Sequence, residues 1–155
     1  MTTNSMPELR EDLTNVRRAI TRAILFANKM RLNSHNGMWF SMMNIHLQKA
    51  LFWTDKALVA LGEDLRGSPT DLRTHPTGKG WVDRKELRDH MVNGCTITEH
   101  ILKRIKVGPD MILTYDAIAT TWRNLHEAKH FLDVFVIQTQ NEPEPESKTE
   151  TNDIS

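Results

Sequence analysis

Between residues 40 and 61, Phe40, Met43, Leu47, Ala50, Thr54, Leu58 and Leu61 recur at steps of three and four, which draws one apolar stripe along one long helix. An ungapped shift of 78 positions returns the stripe as Ile118, Thr121, Leu125, Ala128, Leu132 and Val136. Under the same shift Leu47, Ala50 and Asp55 meet Leu125, Ala128 and Asp133, and Trp53 meets another aromatic, Phe131. Upstream, Glu8, Leu9 and Arg10 fall on Glu86, Leu87 and Arg88, and Asn15 falls on Asn93. The chain therefore reads as two copies of one unit. A unit of roughly 60 residues buries only about 60% of its unfolded surface, so the copies must pack on each other or on further chains.

Each copy reads as a helical hairpin. Ser5-Met-Pro-Glu8 has the form of a capping box with Pro7 in the first turn, and Asp83-Arg-Lys-Glu86 repeats it. The helix after Ser5 carries Leu9, Leu13, Val16, Ile20, Ile24, Ala27 and Met30 on one face. Asn33 to Gly37 supplies a turn, and Gly62 stops the second helix. The helix after Asp83 runs to about Val107 with Leu87, Met91, Ile97, Ile101 and Ile105 inward, and Gly94 within it marks a close approach. Gly108-Pro-Asp110 is a turn, with Asp110 expected to cap the last helix. The expected fold is all-α: two tandem antiparallel helical hairpins, residues 1–62 and 83–140, packed as a helix bundle, with a linker at 63–82. A tail at 141–155, rich in glutamate and interrupted by Pro143 and Pro145, is expected to be disordered.

Formal net charge is zero, but the tail holds five acids against Lys148 and so leaves residues 1–140 at plus four. That excess is small for a protein that binds genomic nucleic acid. Cys95 is the only cysteine, which excludes an internal disulfide and fits a reducing cytoplasm, where a half-buried thiol is expected. The polar opening residues and the lack of any run of about 18 apolar residues give the expectation of a soluble, cytoplasmic chain without membrane contact.

Two sets of side chains carry candidate chemistry. Arg17, Arg18, Arg22 and Lys29 gather towards the C-terminal half of the first helix, beyond what the helix dipole asks for, and suit an anion. The shift places His100 where Arg22 stands in the first copy. Lys79 within Thr77-Gly-Lys-Gly80, Trp81 beside it, and Lys103 near His100 complete a candidate ligand set of cations and a stacking surface. The second set is His126-Glu127-Ala-Lys-His130, an H-E-x-x-H pattern on a helix that in zinc enzymes binds metal through the histidines and activates water through the glutamate. A third protein ligand is not evident in the sequence, and the expectation is no cofactor and no metal.

Leu47, Gln48, Ala50, Phe52, Trp53 and Ala57 resemble the second helix of the hairpin domain shared by phage anti-CBASS and anti-Thoeris nucleotide sponges, with a weaker echo at Leu125, Ala128 and Phe131. The resemblance implies a non-enzymatic homo-oligomer that sequesters cyclic di- or trinucleotide immune signals in pockets where hairpins of several subunits meet. Members of that family are single hairpins, and this chain has two. A zinc-dependent hydrolase using His126, Glu127 and His130, and a structural or adaptor bundle without a small ligand, stand as the alternatives.

Overall fold

The computed structural model describes residues 6–33, 37–65 and 80–139. Those residues form four α-helices, α1 (Met6–Asn33), α2 (Gly37–Ala60), α3 (Gly80–Arg104) and α4 (Ile112–Thr139), with a 3-10 turn at Pro109–Met111 ahead of the last. The protein is an all-α helix bundle, as the periodicity predicts.

Helix ends follow local chemistry. Gly62, at φ +95°, closes α2: its N–H donates to the Val59 carbonyl and the Glu63 N–H to the Leu58 carbonyl, which is the Schellman arrangement. Two expected boundaries move. α3 starts at Gly80, so Asp83 and Glu86 lie within the helix and do not head it, and residues 80–82 leave the linker. Asp110 does not cap α4, because Pro109, with its preset φ, begins a 3-10 turn ahead of the helix, headed by an extended Gly108. Ser5 and the acidic tail lie outside the described residues.

Four neighbouring pairs of helices close a ring in the order α1, α2, α4, α3, with α1 and α4, and α2 and α3, on its diagonals. Arg10 reaches the Leu61 carbonyl and Arg17 reaches Asp55, so α1 and α2 are antiparallel. Phe40 packs on Phe135 while Thr54 meets Thr121, so α2 and α4 are antiparallel as well. Glu8 against Arg104 and Phe26 against His90 make α1 and α3 antiparallel too. Leu13, Ile20, Ile24, Phe40, Met43, Leu47, Leu58, Leu87, Met91, Ile118, Leu125 and Leu132 are wholly buried in one shared core. Both hairpins therefore contribute to a single apolar interior, which meets the burial requirement that neither copy satisfies alone.

One contact ties this packing to the repeat. His46 Nδ1 donates to Asn124 Oδ1 at 3.2 Å, and these residues stand 78 positions apart. The contact joins equivalent helices that run antiparallel, and α1 and α3 are an antiparallel equivalent pair as well, which is the arrangement of a pseudo-two-fold pair of hairpins joined in one chain. Along the same α2–α4 interface the Thr54 hydroxyl donates to the Ala50 carbonyl at 2.8 Å and lies 3.3 Å from the Thr121 hydroxyl. No buried hydroxyl there lacks a partner, which matters because an unmatched one would cost about 1–3 kcal/mol. Gly94 allows the close approach expected of it: a Cβ at that position would stand 3.1 Å from a Leu125 methyl on α4.

Candidate functional surfaces

The candidate anion residues do not converge. The Arg17 guanidinium donates from Nε to Asp55 Oδ1 at 2.7 Å, and its side chain is only 16% exposed, so it belongs to the α1–α2 seam and is not solvated charge. Arg18 is exposed and bonds Asn15 one turn back at 2.8 Å. Arg22 is exposed one turn further on, close enough to His90 to disfavour its charged form, and Lys29 is half-buried. On α3, exposed His100 accepts from Arg104 at 2.8 Å, and exposed Lys103 helps to hold Glu99 ionised. Lys79 lies outside the described residues, and so does the side chain of Trp81.

Repeat equivalence breaks at Arg17, and the ion pairs show the consequence. Asp55 and Asp133 are equivalent, but the partner of Arg17 in the second copy is Cys95. Asp133 instead receives Arg88 at 3.4 Å and Lys129 at 3.0 Å, both from more open positions. Cys95 is buried, and burial pushes its thiol up to about 11, with nearby Lys129 opposing only in part. A thiol so held is inert. Native protein is expected to react with a thiol reagent such as DTNB at a small fraction of the rate seen in denaturant, and fast stoichiometric reaction in the folded state would contradict this burial.

His126 of the H-E-x-x-H pattern turns to α3, where its Nε2 lies 3.4 Å from Glu99 Oε2. The Trp122 indole N–H donates to the same oxygen at 3.2 Å, and the two rings sit 4.3 Å apart. The Trp122 bond, ahead of the His126 contact, lowers the Glu99 carboxyl below its usual range. His130 packs beside Phe131, and Glu127 is exposed. Among the described residues no three His, Cys, Asp or Glu side chains gather as metal ligands, so His126 and His130 have no third donor there.

His90 stacks on Phe26 with ring centroids 5.7 Å apart. Burial lowers its pKa below the usual value, helped by Arg22 and opposed by Glu86 and Asp89. A depressed value means the unfolded chain takes the proton first as pH falls. The stability from neutral His90 is therefore complete above about pH 6.5 and is lost as pH drops through the lower folded value. The difference in melting temperature between wild type and His90→Phe is expected to change in favour of the variant from pH 7.5 to 5, and a constant difference would refute it.

An exposed apolar row lies on the outside of α2. Met38, Met42, Ile45, Phe52 and Val59 are exposed, and with Lys49 and Lys56 they form a second row at steps of four and three. Phe52 is 53% exposed and carries the Lys56 ammonium 5.2 Å from its ring centroid. Spacing of this kind is the seam of a coiled coil. The equivalent positions on α4 are Asp116, Thr120, Arg123, Glu127 and His130, followed by Val134 and Ile137. Asp116, Arg123, Glu127 and His130 are exposed, so one copy presents an apolar seam where the described positions of the other are mostly polar. The row is visible in the sequence as a second three-and-four spacing beside the inner stripe of residues 40–61.

No family model matches the chain, and no curated protein or solved structure matches it either. Among the described residues no helix is long and apolar enough to cross a membrane.

Proposed function

We propose that this chain is a non-enzymatic docking module that holds a helix of another molecule against the outer face of α2. The supporting observation is the exposed seam of Met38, Met42, Ile45, Phe52 and Val59, which the bundle does not use and the equivalent face of α4 does not reproduce. Contiguous exposed apolar side chains on a stable domain mark interaction surfaces. Immobilised wild-type protein and a Val134→Glu variant on α4 should retain the same partner from a lysate of the source cells, and Ile45→Glu/Phe52→Glu should lose it. Equal retention by all three forms would refute the reading.

A second reading is the cyclic oligonucleotide sponge that the α2 resemblance implies, and exposed Arg18 and Arg22 support it as cations open to an anion. Titration with a panel of cyclic di- and trinucleotides tests it. Binding weakened by Arg22→Gln by roughly 1.5–3 kcal/mol, with the fold intact, would favour the sponge over the docking module.

A further inference from the structure

The seam also carries information about its occupant. Seven positions from Met38 to Val59 cover about 32 Å of helix at 1.5 Å per residue, long enough for three heptads of a partner. Five of the seven are apolar and two, Lys49 and Lys56, are lysines one heptad apart. The only acid on α2 is Asp55, and Arg17 engages it. The row is therefore apolar with an unbalanced pair of positive charges in its C-terminal half.

Resting on the docking reading, we propose that the occupant is an amphipathic helix of a different protein, with apolar residues at its own seam positions and carboxylates at the two successive heptad positions that meet Lys49 and Lys56. Charge complementarity carries the choice, since apolar contact supplies adhesion and the paired charges fix register and partner. A second copy of the chain fits poorly. Antiparallel pairing of two α2 rows in full register places Lys49 against Lys49 at the axis. Shifting the antiparallel pair by one seam position sets each lysine against an apolar residue and gives neither a carboxylate, while parallel pairing sets both lysines against their equals. Like charges at such layers oppose association. The chain's own acidic tail fits no better, because Asn141 to Ser155 offers Ile154 as its single large apolar residue and includes two prolines.

The probe is a synthetic 22-residue helix with leucine at seam positions, glutamate at two successive equivalent seam positions, and neutral residues elsewhere; its twin has lysine in place of both glutamates. Fluorescence anisotropy with the full chain should show the glutamate peptide binding at least about tenfold tighter than the twin at low salt. Lys49→Glu/Lys56→Glu should reverse that order, and Ile45→Glu/Phe52→Glu, checked for helicity by circular dichroism, should abolish both. Equal binding of the two peptides that is lost in Ile45→Glu/Phe52→Glu would overturn the acidic partner and leave the docking face standing. A concentration-dependent dimer of the chain alone, removed by the same variant, would overturn it in favour of a second copy. Binding of neither peptide, with the chain monomeric throughout, would overturn the acidic helix and the docking reading together.

Discussion

Replacing Phe40 by alanine is expected to lower the unfolding free energy by about 3–5 kcal/mol. Phe40 is wholly buried, and its ring meets Phe135 of α4 edge-on at 4.9 Å between centroids. The loss joins three contributions: transfer of the ring, the cavity it leaves between α2 and α4, and the aromatic pair itself, worth about 0.5–1.5 kcal/mol in general. Phe52 lies on the same helix and is more than half exposed, so Phe52→Ala is expected to change stability by less than about 1 kcal/mol. Urea denaturation of the two variants checks the contrast. Similar midpoints would mean that the assignment of inner and outer rows on α2 is wrong.

The second large effect separates the copies. Asp55→Ala removes the carboxylate that holds Arg17 at 2.7 Å in a seam where the arginine side chain is 16% exposed, and charge-assisted bonds of this kind contribute about 1.5–3 kcal/mol. Asp133→Ala removes the equivalent carboxylate, whose partners Arg88 and Lys129 can regain water. Its expected cost is below about 1 kcal/mol. Chemical denaturation should therefore rank Asp55→Ala as clearly the more harmful. Equal costs would show that the copies bury their ion pairs alike, against the geometry of Arg17 and Cys95.

Much of this architecture is legible in the residues. The 78-position shift identifies two units, and the three-and-four spacing of Phe40 through Leu61 places one buried face on α2. Gly62 announces the end of α2 and Gly94 a close helix crossing, and both occur, whereas the left-handed stop expected at Asn33 to Gly37 falls on residues 34–36, outside the described residues. Ring order is not legible, because periodicity tells which face a helix buries and not which neighbour buries it. The fate of Arg17 is hidden for a related reason: a cation in a run of cations looks solvated until the antiparallel register sets it beside Asp55, 38 positions away. The outer seam of α2 was written in the spacing, but a helix with apolar rows on two faces does not say which one the core takes. Only packing against α1 and α4 resolves that, through Phe40, Met43 and Leu47 inward and Met38, Met42 and Ile45 outward.

Everything proposed for the outer face of α2 depends on the two hairpins pairing within one chain, α2 against α4, where His46 meets Asn124. Cysteines introduced as His46→Cys and Asn124→Cys in a Cys95→Ala background, treated with a short bis-thiol cross-linker, test that pairing directly. The pseudo-two-fold bundle predicts a rapid intramolecular link at the mass of a single chain, with a yield that dilution does not change. A product that forms only between chains, or no link at all, would contradict it.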